Sequence, residues 1–119
     1  MSNKYGACRT WSNLINRWFD SKAECQRGEE LALLERAGEI RQLEYQVCFV
    51  LSKSPQVRIT VDFGYIENGK QVYEDVKGMG ETREFRVKRI WLKQLCGIDI
   101  ILNRNTNQVR REVKDGYSH

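Results

Sequence analysis

The sequence predicts an α/β fold, at the border with α+β, in which helices pack on a mixed central sheet. Three observations support this fold class. An Asn-Gly dipeptide joins two runs rich in β-branched and aromatic residues, an amphipathic helical pattern lies on either side of that pair, and a short apolar run, residues 98–102, comes last. The predicted order is therefore helix, three strands, helix and strand. Because the last strand follows a helical crossover, it can run parallel to a neighbour and make the sheet mixed.

The centre of the chain, residues 58–78, predicts a β-hairpin. Asn68-Gly69 is the preferred dipeptide for a two-residue type I′ turn. With that turn, Asp62 on the first strand faces Asp75 on the second. Lys77 points to the same face, because side chains alternate along a strand. The opposite face is expected to contact the core, since it carries the apolar side chains of Val61, Phe63, Tyr65, Val72 and Val76.

The facing aspartates need a compensating cation, because like charges directly opposite each other destabilise a sheet. Lys77 could be that cation, in which case the three side chains form only a surface ion-pair cluster. Alternatively, a divalent metal ion lies between the carboxylates, and Lys77 acts on what the metal binds. Glu74 interrupts the apolar face, and a β-bulge would exchange its position with that of Asp75. Glu74 is therefore the alternative acid.

The first helix is predicted to begin at Asp20-Ser21 and to stop at Gly38. Ser21 and Glu24 have the spacing of a capping box. Glu24 also lies on the same side of the helix as Leu31, since seven residues make nearly two turns. Two roles are open for Glu24: a reciprocal cap, or an inward-facing acid that is paired or bound to metal.

The remaining elements are a strand over residues 43–52, a turn over residues 53–56, and a second helix over residues 81–96 that Gly97 ends. The second helix has an apolar stripe that we expect to pack on the sheet. Its members are Val87, Trp91 and Leu95, widened by Ile90 and Leu92.

Length and charge indicate a single domain over residues 1–119, with a net charge of +4. Residues 1–19 form a basic and aromatic arm, of which we expect part to pack. Residues 20–102 form the core, and residues 103–119 form a basic tail. Basic flanks around a more acidic centre suit a polyanion that contacts the periphery. The candidate phosphate contacts are Lys4, Arg9, Arg17, Arg83, Arg86, Lys88, Arg89 and Lys93.

Two kinds of segment are missing from the sequence: an apolar run of membrane-spanning length and the apolar segment of a signal peptide. We therefore expect a cytoplasmic protein without a membrane partner. Its cysteines, Cys8, Cys25, Cys48 and Cys96, are widely spaced, and the single histidine is His119. Zinc needs clustered thiolates or imidazoles. We expect reduced, mostly buried thiols, and neither a zinc site nor histidine-based catalysis.

Five strings together resemble a known family: KYGA, FDSKAE, LLERAGEI, VDFGYIENGK and VYEDVKGM. With Asp62 on one hairpin strand and Asp75-Val76-Lys77 on the other, they resemble the PD-(D/E)XK nuclease superfamily, and within it a family of small phage-encoded proteins. The spacing also resembles the phage endonuclease I Holliday-junction resolvases. The resemblance covers roughly residues 4–102 and implies a restriction-endonuclease-like αβββαβ core.

The resemblance implies a divalent-metal-dependent DNA endonuclease that hydrolyses phosphodiester bonds, with branched DNA such as a Holliday junction as a candidate substrate. It matches Asp62 and Asp75 to the metal-binding acids, Lys77 to the catalytic lysine and Glu24 to the first-helix acid. The Val76 carbonyl would join the acids around Mg²⁺, for which Mn²⁺ can substitute.

The sequence departs from the family pattern at two positions. Asp75 stands where many members have glutamate, and Val61 stands where a proline precedes the first aspartate. Gln46 is a further residue expected near the site. By the same resemblance the protein is a homodimer, because junction resolution needs two active sites, and it works in the cytoplasm of the host cell if it is phage-encoded.

Two other classes of function stay open. One is a DNA-binding module that kept the fold without catalysis. The other is a phage structural or interaction protein whose acids form only ion pairs. Metal titration separates the first from a nuclease, and salt-dependent DNA binding argues against the second.

Overall fold

The computed structural model describes residues 8–78 and 80–104. The helices and strands follow the predicted order, with two additional short strands in the N-terminal arm. The elements are β1 (Thr10–Ser12), β2 (Arg17–Phe19), α1 (Lys22–Arg36), β3 (Arg41–Lys53), β4 (Gln56–Glu67), β5 (Lys70–Val76), α2 (Arg83–Cys96) and β6 (Ile100–Asn103).

The main sheet has four strands in the order β3-β4-β5-β6. The first three run antiparallel, and β6 runs parallel to β5 because α2 returns the chain to the same end of the sheet. The sheet is therefore mixed and carries helices, which confirms the predicted fold class.

The hairpin of β4 and β5 has the predicted register. Phe63 pairs with Glu74, and Glu67 pairs with Lys70 across the turn. Asn68 and Gly69 have φ values of 53° and 76°, as a type I′ turn requires. The ladder of backbone pairs ends at Phe63 and Glu74, one position before the two aspartates.

The two faces of the sheet carry different core clusters. Val72 packs against one cluster, which we call the α1 cluster, whereas Tyr73, the next residue, packs against the other, the α2 cluster. The buried members of the α1 cluster are Phe19, Cys25, Leu31, Ile40, Phe63, Tyr65 and Val76, and those of the α2 cluster are Leu51, Ile59, Val61, Leu92 and Ile100. Because successive side chains point to opposite faces, α1 and α2 cover opposite sides of β5.

The prediction of one apolar face along β4 was wrong at Val61. Phe63 packs in the α1 cluster, as predicted, but Val61 packs in the α2 cluster. Between the paired positions Tyr45–Phe63 and Val47–Val61, Gln46 of β3 has a positive φ of 54°. This local irregularity interrupts the alternation of side chains at Asp62, so that Val61 and Phe63 point to opposite faces of the sheet.

Helix α1 begins and ends where its sequence predicts. The Ser21 hydroxyl accepts a hydrogen bond from the Glu24 N–H at 3.1 Å, and Gly38 follows the last turn with a φ of 84°. Gly28 allows α1 to lie close to the core, because a Cβ atom there would be 2.8 Å from the ring of Phe19.

The predicted inward stripe of α2 was largely wrong. Only Leu92 is buried, whereas the other four side chains are between 37 and 55 % exposed. Phe85 and Leu92 make the contact with the α2 cluster instead. The period of apolar residues predicted an amphipathic helix, but it could not determine which side of the helix meets the sheet. The exposed members are Val87, Ile90, Trp91 and Leu95.

The N-terminal arm contains a small antiparallel hairpin that the sequence analysis did not predict. Trp11 of β1 pairs with Trp18 of β2, and their rings meet edge to face at 5.4 Å. Phe19 is buried in the α1 cluster, so part of the arm packs on the domain as expected. Trp11 and Trp18 remain 41 and 50 % exposed.

The four cysteines are free thiols, as expected, but the expectation that most are buried was wrong. Only Cys25 is buried, against the α1 cluster, and the other three are exposed. The wide spacing of the cysteines argued against a shared metal site, but it carried no information about how deeply each thiol is buried. In residues 8–78 and 80–104, no helix is both long and apolar enough to cross a membrane.

Candidate functional site

Asp62 and Asp75 lie next to each other where β4 and β5 leave their ladder. The Asp75 carboxylate accepts a hydrogen bond from the Asp62 N–H at 2.9 Å, and the Asp62 carboxylate accepts one from the Val76 N–H at 2.8 Å. Each aspartate therefore binds the backbone of the other strand, and these bonds continue the pairing that the backbone ladder no longer supplies.

Lys77 is fixed beside Asp75. Its ammonium lies 2.8 Å from the second Asp75 oxygen and 3.5 Å from the centroid of the Phe85 ring. Its backbone N–H donates to the Asn103 carbonyl. Lys77 thus points to the same face as Asp75, as the alternation of the strand predicts, and its position depends on both α2 and β6.

Glu24, in the first turn of α1, interacts with the charges of both aspartates. Burial, and then the negative charges of Asp20 and Asp75, raise its pKa to about 7. One oxygen of the Glu24 carboxylate is buried without a hydrogen-bond partner among the described residues. An ionised carboxylate with an unsatisfied buried oxygen is costly. Glu24 is therefore a first-turn residue of a capped helix whose half-buried carboxylate keeps one oxygen without a partner among the described residues.

The three carboxylates form an acid cluster with excess negative charge, which we define as Glu24, Asp62 and Asp75. Burial, and then the charges of Asp75 and Glu24, raise the pKa of Asp62 well above its usual range. Within the described residues, Lys77 is the one cation that forms an ion pair with any of them. A single ammonium does not neutralise three carboxylates, so the site favours protonation or a further cation.

The donor chemistry of the acid cluster suits a divalent ion, although its present arrangement is not a complete coordination site. Carboxylate oxygens are the ligands that Mg²⁺ prefers, and the orphaned Glu24 oxygen is available. However, across residues 8–78 and 80–104, no three acid, thiol or imidazole side chains are arranged so that they could hold a metal as they stand. The aspartates are instead turned towards backbone N–H groups, so coordination requires their carboxylates to rotate.

Gln46 lies at the edge of the acid cluster, where the sequence analysis expected it. Its side-chain amide donates a weak, 3.4 Å hydrogen bond to Asp62. The positive φ of Gln46, 54° in the middle of a strand, is unusual for a residue with a side chain. Such local strain is found most often at functional sites.

Glu74, the alternative acid, lies on the other face of β5. Its carboxylate accepts two hydrogen bonds from Arg27, at 2.6 and 3.0 Å, and one each from Tyr65 and Asn103. Burial opposes its ionisation, but the bonds from Arg27 and Asn103 outweigh burial and hold the pKa of Glu74 below its usual value. Glu74 is thus a fully paired carboxylate of the α1 face, whereas Asp75, the next residue of β5, points to the opposite face.

The basic residues proposed for phosphate contact are in different environments. Arg89 is held by two hydrogen bonds to Glu81, Lys88 pairs with Glu84, and Lys93 pairs with Asp99. The guanidinium of Arg9 lies over Trp18 and that of Arg17 lies over Tyr45. Arg83 and Arg86 are exposed on α2. Lys4 lies outside the described residues.

Two clefts flank the acid cluster. One, of about 210 Å³, is lined by side chains of β2 and β3 and includes Gln46, the partner of Asp62. The other, of about 250 Å³, includes Lys77, the partner of Asp75, together with Arg58 and Lys88. Arg58 was not among the predicted basic contacts, because no pattern in the sequence connects it with Lys77.

The chain matches one protein family over residues 2–99, and the family is described as "Protein of unknown function (DUF1064)". It belongs to that family. The match spans both flanking clefts and the whole acid cluster, so these features lie within the family's own domain. No curated protein and no solved structure matches the chain.

Proposed function

We propose that this protein is a divalent-metal-dependent endodeoxyribonuclease that hydrolyses phosphodiester bonds in DNA. The observation that carries the proposal is the acid cluster with Lys77: three buried or half-buried carboxylates interact with one another, and one ammonium, paired with Asp75, lies among them. A purely structural cluster would pair its charges, as Glu74 does one residue away.

In the proposed site, Asp62, Asp75, the Val76 carbonyl and Glu24 would hold Mg²⁺ or Mn²⁺. The ion would supply Lewis-acid chemistry to the phosphoryl group and a hydroxide-like water. The excess negative charge of the acid cluster favours such an ion, and the orphaned oxygen of Glu24 would gain a partner. Raised pKa values mean that ion binding would displace protons from Glu24 and Asp62.

Lys77 would act on the phosphate and on the attacking water. Its ammonium is held by Asp75 and by the Phe85 ring, so little freedom is lost when it meets the substrate. From that position it would orient the water and stabilise the negative charge that develops on the phosphoryl oxygens.

The flanking clefts supply the contacts that a charged DNA backbone needs. Arg58 and Lys88 line the cleft that contains Lys77, and Arg17 lines the cleft that contains Gln46. Cations therefore lie on two sides of the acid cluster, beside Asp20 in one cleft and Glu84 in the other, and would attract phosphates to its periphery.

The proposal is tested by incubating the protein with supercoiled plasmid and with four-way junctions, with Mg²⁺, with Mn²⁺ and with chelator. We expect metal-dependent cleavage that Asp62→Asn and Lys77→Ala each reduce by at least about 100-fold. Asp99→Asn is the matched control, since Asp99 forms an exposed ion pair with Lys93. Equal cleavage by all four proteins would overturn the assignment.

Two further measurements separate the other classes of function. Salt-dependent DNA binding without metal binding by calorimetry would identify a non-catalytic DNA-binding module. Absence of DNA binding at low salt would favour a structural or interaction protein. Sedimentation of the free and DNA-bound protein tests the homodimer, which the proposal includes because cleavage of both strands at a junction needs two sites.

A further inference from the structure

We infer that the cleft between β2 and β3 binds an unpaired nucleobase, stacked beside Trp18, and so directs the proposed nuclease to DNA with unpaired nucleotides. This inference rests on the proposed function, and it names the substrate class of the same site. The cleft has a volume of about 210 Å³ and is lined by Arg17, Trp18, Phe19, Asp20, Tyr45 and Gln46.

The first argument is the exposure of the Trp hairpin, which we define as β1, β2 and the turn between them. Trp18 is 50 % exposed and Trp11 is 41 % exposed. A pair of indoles left in water costs free energy unless a ligand covers it. Their edge-to-face contact and the Arg9 guanidinium, 4.9 Å from the Trp18 ring centroid, hold Trp18 in place.

The second argument is the chemistry of the cleft walls. Aromatic rings and a guanidinium plane lie side by side, since Arg17 covers the Tyr45 ring at 4.4 Å. Flat aromatic and guanidinium groups are the partners on which unpaired bases stack. The Gln46 amide, which carries both donors and an acceptor, can meet the edge of a base. A lipid or an aliphatic ligand would gain little from these polar groups.

The third argument is the connection to the acid cluster. Gln46 lines the cleft and also hydrogen-bonds Asp62. A strand with one base in the cleft therefore continues directly to the proposed metal ligands. The basic side chains of Arg17 on the Trp hairpin and of Arg9 directly before it suit the phosphates of that strand.

The cleft favours an unpaired base over a base pair for a geometric reason. Both faces of a base inside a duplex are covered by its neighbours, so a side chain can stack only on a base that has left the helix. Flaps, gaps and branch points present such bases, whereas a continuous duplex does not.

The test measures binding rather than cleavage, with the full chain in chelator. The probes are a fluorescein-labelled oligothymidylate and an oligonucleotide of the same length and charge in which abasic sites replace the thymines. We expect wild-type protein to bind the thymine probe about 10-fold more tightly. Trp18→Leu should remove that preference, Trp18→Tyr should retain most of it, and Trp91→Leu on α2 should leave it unchanged.

Each outcome has a distinct meaning. Equal binding of the two probes by wild-type protein would overturn the inference, whatever the variants do, and would leave the nuclease proposal intact. A thymine preference without metal-dependent cleavage would support the base site and remove the nuclease. A preference that Trp18→Leu retains, with a native circular dichroism spectrum, would exclude Trp18 as the stacking partner.

Discussion

Two adjacent buried acids of β5, Glu74 and Asp75, lie in opposite electrostatic environments. Glu74 points to the α1 face, where Arg27, Tyr65 and Asn103 satisfy its carboxylate. Asp75 points to the other face, where it pairs with Lys77 and interacts with the charges of two more acids, Glu24 and Asp62. The first environment lowers the pKa of Glu74, whereas burial and neighbouring acids in the second raise the pKa of Glu24 and of Asp62.

This comparison indicates how a structural carboxylate can be distinguished from a candidate functional one. Burial alone does not distinguish them, because Glu74 is 2 % exposed and Asp75 is 4 % exposed. The number of hydrogen-bond donors and cations around each carboxylate does distinguish them. Glu74 accepts two hydrogen bonds from the Arg27 guanidinium, whereas the acid cluster keeps an orphaned oxygen on Glu24.

The largest expected effect contrasts the two neighbours directly. Asp75→Asn should weaken Mn²⁺ binding and reduce metal-dependent cleavage by at least about 100-fold, because it removes a proposed ligand and the partner of Lys77. Glu74→Gln, a change of the same kind one residue away, should leave Mn²⁺ affinity within about 3-fold. Calorimetric titration checks both. Equal losses in the two variants would abolish the contrast.

The second prediction concerns stability on the α1 face. Arg27→Met should reduce the free energy of unfolding by about 3 kcal/mol, because it leaves the Glu74 carboxylate buried without its cation. Urea denaturation measures this change. Arg36→Met, an exposed position of the same helix, is the control. The double variant Arg27→Met/Glu74→Gln should recover part of the loss; if it is no more stable than Arg27→Met, the pair is not the cause.

Helix α1 connects the two regions, since it carries Arg27 towards Glu74 and Glu24 towards the aspartates. Gly28→Ala should reduce the free energy of unfolding by about 1–3 kcal/mol, because the new Cβ would lie 2.8 Å from the buried ring of Phe19. Thermal unfolding measures it, with Gly78→Ala as the control, since a Cβ at Gly78 meets no atom within 4 Å. An unchanged midpoint in Gly28→Ala would mean that α1 tolerates displacement from the sheet.

The smallest expected effect is a difference in pH dependence. The pKa of Glu24 is raised from 4.5 to about 7 in the folded protein, so the folded state binds more protons in that window. The free energy of unfolding of metal-free protein should therefore fall as pH rises from about 4.5 to 7, and Glu24→Gln should fall less. The contribution of Glu74 to the free energy of unfolding has the opposite pH dependence. Its pKa is lowered, so this contribution is lost as pH falls below about 4.5.

Urea denaturation across pH 4–8 measures this difference. A wild-type profile that coincides with that of Glu24→Gln would show that Glu24 is as easily ionised in the folded protein as in the unfolded chain. Adding Mn²⁺ should stabilise the wild type most at the upper end of the range, where the proposed ligands have lost their protons.

Local patterns in the sequence predicted the order of the main elements and the register of the central hairpin. The Asn68-Gly69 turn fixed which residues face each other, and Ser21 and Gly38 fixed the ends of α1. These signals act over a few residues, so they can be interpreted without the fold. The proximity of Asp62, Asp75 and Lys77 follows from the same turn.

Contacts between distant segments were not predictable in the same way. The assignment of Glu74 to Arg27, 47 positions earlier, depends on how α1 lies across the sheet. The exposed stripe of α2 and the pairing of Trp11 with Trp18 depend likewise on which surfaces meet. Periodicity identifies an apolar side of a helix but not its partner.

Local signals in the sequence were enough to predict a mixed α/β domain with two aspartates and a lysine on one face of a type I′ hairpin. The fold as a whole was needed to bring the charge of Glu24 close to them, to direct Glu74 to Arg27, and to form the cleft that Trp18 and Gln46 line. The reason is how far apart along the chain the interacting groups lie. Turn geometry and side-chain alternation act between near neighbours, whereas desolvation and charge pairing depend on groups that the whole fold brings together.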